Sequence, residues 1–218
     1  MIPRSPREPL IRPIARFASP ALRLYLTAFS LLFTELVLIR WIPAEITYVG
    51  FFSNLLLIGS FLGIGVGILA GRRSTGGARA LPIGLFIPLL FITVRFVTVV
   101  QLNVQVRATD EVFFGLAENR GAADINFVVL PLAVGLATLL MAVLAFPLGP
   151  LLRSMPPLRA YSLDIVGSLS GIAAFTFLSA LSIAPAVWFA VLGLILLCLV
   201  LGRGINAWGQ SRPPSWAA

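Results

Sequence analysis

Long apolar runs occupy most of this 218-residue sequence and limit its fold more than any other feature. About 20 apolar residues suffice to cross the hydrocarbon core of a bilayer as a helix. Because no water reaches that core, backbone polar groups must pair within the segment, which favours helices. The sequence predicts an all-α, polytopic membrane bundle of six transmembrane helices: Leu22–Trp41, Ile46–Ala70, Leu81–Leu102, Ile125–Leu148, Tyr161–Ile183 and Ala186–Leu201.

The composition supports a lipid bilayer as the main partner. Only 11% of the residues are charged, against about 25% in an ordinary soluble domain. All sixteen basic residues are Arg, and most of them separate the apolar runs instead of lining a polar face. The net charge of +8 therefore indicates a membrane protein, and nucleic-acid binding is not expected.

The residue types that are missing exclude several chemistries. Without His or Lys the chain has no imidazole ligand for a metal and no amine for a Schiff base. A single cysteine, Cys198, can neither form an internal disulfide nor hold an iron–sulfur cluster. We therefore expect no cofactor, no metal and no catalytic residue in this chain.

The arginines also predict the orientation in the membrane. Twelve of them lie at the N-terminus, in alternate loops and at the C-terminus, whereas Arg40, Arg107 and Arg120 lie on the opposite side. Since basic loops stay inside, both termini are predicted to be cytoplasmic, in the inner (plasma) membrane. The predicted regions are a disordered, basic, Pro-rich tail at 1–20, the transmembrane domain at 21–203 and a short cytoplasmic tail at 204–218.

Three polar residues on neighbouring predicted spans fall at one depth. Glu35 and Arg95 each lie about six residues before the outer end of a span, and Asn54 comes at a similar depth on the span between them. At about 1.5 Å per residue, all three lie roughly 10 Å below the outer surface. Either they form a charged binding site inside the bundle, or Glu35 and Arg95 pair to fix the helix packing.

Small residues mark two predicted spans as close-packing helices. A glycine at every fourth position produces one smooth stripe, against which another helix can pack closely. Gly59–Ile64 on the second span resembles Gly167–Ile172 on the fifth, as an inverted three-plus-three repeat would require. The predicted packing residues are Gly59, Gly63, Gly67, Gly71, Gly167 and Gly171.

The fifth span opens with a second candidate polar site, formed by Tyr161 and Asp164. The Asp164 carboxylate could bind a cation or pair with an Arg of a loop. It could equally lie near the positive end of the helix dipole for stability alone.

Three segments carry motifs that can be compared with known families: Phe33–Arg40, with the pattern E-x4-R; the end of the glycine-rich second span, Ala70–Arg72; and Arg159–Gly171, with Tyr161 and Asp164. Together they resemble the membrane region of spermidine synthase-like proteins. In that family a multi-helix membrane region precedes an aminopropyltransferase-like Rossmann domain. This chain carries no glycine-rich nucleotide loop and no acidic catalytic cluster, so the resemblance covers the membrane region alone and does not transfer enzyme activity.

The resemblance implies a membrane module that anchors or serves a partner aminopropyltransferase-type enzyme, either soluble or fused. It further implies a small cationic metabolite as ligand, bound through Glu35 and Asp164.

A different class of function is also open. Gly67–Arg73 resembles the loop between the second and third helices of major facilitator transporters, although Gly71 replaces the usual acidic residue. Six helices would be half of such a transporter, so the chain would act as a homodimer.

Overall fold

The computed structural model describes residues 19–73, 81–107 and 120–210. Most of the two predicted tails and the loops at 74–80 and 108–119 lie outside the described residues. All the regular structure within these ranges is helical. The helices are α1 Pro20–Glu45, α2 Thr47–Gly50, α3 Ser53–Arg73, α4 Leu81–Arg107, α5 Arg120–Ala145, α6 Leu148–Arg153, α7 Pro157–Ala180 and α8 Pro185–Gln210.

Within the described ranges, four helical stretches are long and apolar enough to cross a membrane: Pro20–Glu45, Ser53–Arg73, Val128–Arg153 and Pro157–Ala180. The third of them includes the Phe146–Pro147 turn between α5 and α6. Shorter apolar stretches lie in α4, at Gly84–Val100, and in α8, at Pro185–Val200. The all-α class is thus confirmed for the described residues, and these apolar helices are typical of a membrane protein.

The connection between the first two long helices differs from the prediction. Ile42–Glu45 was expected to be a loop, yet α1 continues through Pro43 to Glu45. Proline inside a helix loses one backbone hydrogen bond, and membrane helices tolerate that loss. The helix ends where Ile46 adopts an extended backbone (φ −119°, ψ 95°), and the short helix α2 follows. The second predicted span therefore begins at Ser53 instead of Ile46.

The last helix also extends beyond its predicted end. The final span was expected to stop near Leu201 and to be followed by a tail from residue 204, but α8 remains helical to Gln210. Gly202 and Gly204 lower the helix propensity there without ending the helix.

The chain packs as two compact units. The central unit runs from Phe33 to Gly149, and in it α2, α3 and α4 all contact α5. The terminal unit contains the described residues up to Leu32 together with those from Pro150 onward. In the terminal unit, the rings of Phe175 on α7 and Trp188 on α8 meet edge to face, with centroids 5.2 Å apart.

Candidate functional site

Of the six buried polar side chains among the described residues, four lie on α1: Thr27, Ser30, Thr34 and Glu35. Two of them are satisfied within the helix: the Thr27 hydroxyl donates to the Arg23 carbonyl at 2.8 Å, and the Ser30 hydroxyl donates to the Leu26 carbonyl at 2.7 Å. Thr34 and Glu35 are different. Both are buried, yet neither Thr34 Oγ1 nor Glu35 Oε1 has a hydrogen-bond partner.

Glu35 is the most informative of these residues. Its side chain is only 3% exposed, and Oε1 is a buried acceptor without a donor. An unsatisfied buried polar group typically costs about 1–3 kcal/mol, and more when it is charged. Such groups are rare in folded proteins and often mark the place of a water or an ion.

A third unpartnered group lies on α3, in the same central unit as Glu35. Ser60 is fully buried, and its Oγ has no hydrogen-bond partner. Sequence reasoning missed Ser60 because serine is common beside glycine in close-packed membrane helices. The available signal was its helical spacing, since Ser60 follows the buried Leu56 by four residues and precedes the buried Gly63 by three.

The structure does not bring Arg95 and Asn54 to Glu35. Both side chains are exposed on the surfaces of their helices. In the described part of the chain, no hydrogen bond or ion pair joins either of them to Glu35. The predicted Glu35–Arg95 pair is therefore not formed.

Helical rotation explains the missing pair. On α4 the buried face includes Thr93 and Val97. Arg95 lies midway between them, about 200° around a helix of 3.6 residues per turn. Asn54 has the same relation to the buried Leu56 on α3. A common depth thus placed these residues in one layer but did not fix the direction of their side chains.

The second candidate polar site, on α7, lies in the terminal unit. Asp164 is half-buried, whereas the Tyr161 side chain is 64% exposed. Binding of a cation by Asp164, its pairing with an Arg of a loop and its interaction with the helix dipole all stay predictions.

The glycines of α3 lie directly against the backbone of α5. A Cβ atom built on Gly59 would lie 2.8 Å from Thr138 Oγ1, and one on Gly63 would collide with the Thr138 carbonyl oxygen. A Cβ on Gly67 would collide with the Ala142 carbonyl oxygen in the same way. Gly71 is buried on the same helix. These glycines allow the two helices to approach at backbone distance.

The glycines of α7 make the equivalent contact with α1 in the terminal unit. A Cβ atom on Gly167 would lie 2.6 Å from the Tyr25 carbonyl oxygen. On Gly171 it would lie 2.5 Å from the Phe29 carbonyl oxygen. No Cβ-bearing residue fits at either position without a shift of the backbone.

An apolar groove of about 310 Å³ lies between α3 and α5 in the central unit. Its lining contains none of the unpartnered polar atoms of Thr34, Glu35 or Ser60. Among the described residues, no group of three or more Cys, Asp or Glu side chains could hold a metal ion.

Comparison of the chain with family models, curated proteins and solved structures finds no match.

Proposed function

We propose that this protein crosses the cytoplasmic (inner) membrane six times and has both termini in the cytoplasm. The four membrane-length helical stretches support this topology, and the apolar parts of α4 and α8 would supply the remaining two spans. The distribution of arginines supports the orientation, because basic loops are retained on the cytoplasmic side.

Reporter fusions would test this topology. Fusions at Thr75, at Met155 and after Ala218 should give a cytoplasmic signal, and a fusion at Asn119 should give an external one. A six-span bundle places the first three points on the side that carries twelve of the sixteen arginines. A cytoplasmic signal at Asn119 would contradict the proposed topology.

Within this membrane domain, Glu35 binds a small cationic ligand. One observation carries this function: an acidic side chain that is 3% exposed in a membrane-length helix and has a carboxylate oxygen without a hydrogen-bond partner. Ionisable groups inside a bilayer are costly, and they usually mark ion or substrate sites. The resemblance to spermidine synthase-like proteins supports a polyamine-type ligand and a partner aminopropyltransferase-type enzyme that the module would anchor or serve.

Ligand binding should raise the thermal stability of the purified protein. Spermidine in excess over its Kd should stabilise the wild type, by about 2.7 kcal/mol at a hundredfold excess. Glu35→Gln should abolish this stabilisation. Glu45→Gln is the matched control, because Glu45 lies on the same helix but is half-exposed at its end. If spermidine stabilises wild type and Glu35→Gln equally, Glu35 is not its binding site.

A transporter is the second candidate function, and a repeated contact between helices favours it. In the central unit, Gly59 and Gly63 lie against the carbonyls of Val134 and Thr138. In the terminal unit, Gly167 and Gly171 lie against the carbonyls of Tyr25 and Phe29.

The register of these contacts is the same in both units. The glycine pairs are 108 positions apart in sequence, and the carbonyl pairs are 109 positions apart. The contact between spans two and four is thus matched by one between spans five and one, which is the pairing that a three-plus-three repeat requires. Inverted repeats of this kind build many secondary transporters.

Uptake into proteoliposomes would test transport. A transporter should accumulate labelled spermidine saturably, and Glu35→Gln should reduce that uptake while Glu45→Gln should not. The protein could bind spermidine in detergent and yet show no more uptake than protein-free liposomes. That result would favour the membrane module over the transporter.

A further inference from the structure

We propose that α4 carries a docking face for a membrane-spanning helix of a partner protein, and that this partner helix places an Asp or Glu carboxylate opposite Arg95. The docking face consists of Gly84, Pro88, Phe91 and Arg95 and is termed the Arg95 face. This inference goes beyond the proposed function and rests on one part of it, namely that α4 crosses the membrane.

The Arg95 face is the side of α4 that the rest of the chain leaves uncovered. Its residues follow one another at intervals of four, three and four positions, an interval pattern that lines the contact seam of paired helices. All four residues are exposed, and the Phe91 side chain is 65% exposed. On the opposite side of α4, Phe86, Thr93 and Val97 are buried, and α4 contacts α5.

Arg95 places a charge deep within the apolar part of α4. This part runs from Gly84 to Val100, and Arg95 lies three residues beyond its midpoint at Ile92. Arginine keeps its charge in proteins, and a charged side chain inside a bilayer is costly unless it is paired or reaches water. Among the described side chains, none forms an ion pair with Arg95. The neutralising group is therefore expected on another molecule.

The direction of the Arg95 side chain disfavours a lipid phosphate as that group. Arginine near a helix end can reach the lipid headgroups. In an α-helix, however, the Cα–Cβ bond tilts towards the N-terminal end, where Gly84 is eleven residues, or roughly 17 Å, away. That distance exceeds the length of an arginine side chain. The nearer end of the apolar part, at Val100, lies in the opposite direction.

The acidic residues that follow α4 in the sequence are too far along the chain to neutralise Arg95. Asp110, Glu111 and Glu118 come after Arg107, which is twelve residues, or roughly 18 Å, from Arg95 along the helix. Irregular chain exposed to lipid does not enter the hydrocarbon core, whereas helices do. A carboxylate at the depth of Arg95 therefore has to lie on a helix that itself crosses the membrane.

A carboxylate also matches the chemistry of the guanidinium group. Arginine donates two parallel hydrogen bonds to the two oxygens of one carboxylate. In hydrocarbon, polar contacts between helices promote their association. The partner is thus a membrane helix with one acidic residue near its middle, because Arg95 lies near the middle of α4.

The test measures binding of a synthetic helix to the purified full chain in phosphatidylcholine vesicles. The probe is a dansyl-labelled, leucine-rich peptide of about 20 residues with one central Glu, and energy transfer from the four tryptophans of the protein reports its binding. The probe should bind the wild type saturably. Arg95→Gln should raise the half-saturating probe concentration about tenfold, and a probe with Gln in place of Glu should bind the wild type equally weakly. A probe with a central Arg should restore tight binding to Arg95→Glu.

A pair of phenylalanines tests the position of the docking face. Phe91 lies on the Arg95 face and Phe177 lies on α7, and both side chains are 65% exposed. Phe91→Ala should weaken binding of the Glu probe, whereas the matched control Phe177→Ala should not. Equal effects of these two substitutions would contradict docking at the Arg95 face.

Equal binding of the Glu probe to the wild type and to Arg95→Gln would overturn the inference. Two further results would assign the face to another occupant and overturn it as well. Stabilisation of the wild type, but not of Arg95→Gln, by phosphatidylglycerol would indicate an anionic lipid, and a smaller oligomer of Arg95→Gln than of the wild type would indicate a second copy of this chain.

The reporter fusions at Thr75 and Asn119 flank α4 and separate this inference from the proposed topology. If both fusions report the same side of the membrane, α4 does not cross it, and the topology and the inference fail together. If they report opposite sides and the Glu probe does not distinguish the wild type from Arg95→Gln, the inference alone fails.

Discussion

Gly63→Leu should prevent α3 from packing on α5 and should destabilise the protein more than any other single change proposed for it. A Cβ atom at this position already collides with the Thr138 carbonyl oxygen and lies 3.0 Å from the Met141 Cβ, so a leucine must force the two helices apart. Added bulk in a packed core typically costs about 1–3 kcal/mol, occasionally more. The atom that a leucine side chain would meet is a backbone oxygen, which cannot move without its helix. We therefore expect the loss of stability to lie at the upper end of that range. Thermal unfolding and size-exclusion chromatography in detergent would measure it.

Gly65→Leu is the matched control for this prediction. Gly65 lies two residues further along the same helix, and a Cβ atom built there meets nothing within 4 Å. The two variants share the change in residue type and in helix propensity, so their difference isolates the contact with α5. Equal stability of the two variants would show that the α3–α5 contact is not close-packed.

Glu35 and Arg95 should behave as independent residues. Arg95→Gln should change stability by no more than about 0.5 kcal/mol, the range usual for an exposed side chain. Glu35→Leu, measured without added cation, should raise the free energy of unfolding by about 1–3 kcal/mol, because it removes a buried group that has no hydrogen-bond partner. In a double-mutant cycle the coupling energy should stay within about 0.5 kcal/mol.

An ion pair between Glu35 and Arg95 would give a different result in that double-mutant cycle. If the two residues pair in the membrane, Arg95→Gln alone should cost about 3–5 kcal/mol, because it leaves an uncompensated buried charge. The double variant would then recover much of that loss. Such a result would restore the ion pair and contradict the exposed position of Arg95.

The sequence predicted most of the helical content because long apolar runs leave few alternatives. It placed spans near α1, α3, α4, α5, α7 and α8, which the structure describes as helices. It placed the end of the first span at Trp41, whereas α1 continues through Pro43 to Glu45, since membrane helices accommodate proline. Local propensity therefore predicted the existence of these elements better than it predicted their ends.

The candidate site was only partly predictable. An acidic residue in an apolar run identified Glu35, since burial of a carboxylate is costly wherever the helix packs. Its partners were harder to identify because they depend on the rotation of each helix about its own axis. Arg95 and Asn54 have the predicted depth, but both side chains are exposed, whereas Glu35 is buried.

The glycine stripes show how much a pattern can specify. The four-residue spacing identified the face of α3 that approaches another helix, and Gly59, Gly63 and Gly67 all lie on it against α5. The spacing did not identify the partner helix, because any helix can approach a smooth surface. The glycine contacts have the same register in the two units, and this became visible only from the carbonyl groups that the glycines contact.

Chemical labelling of Glu35 with dicyclohexylcarbodiimide is the most direct test of cation binding at this residue. This reagent partitions into membranes and modifies carboxyl groups there, and mass spectrometry would quantify the adduct on Glu35, with Glu45 as the internal reference. If Glu35 binds a small cation, labelling of Glu35 should fall as Na⁺ or spermidine is added at constant ionic strength, while labelling of Glu45 stays constant. Labelling of Glu35 that neither cation changes would contradict the assignment of Glu35 as the binding site.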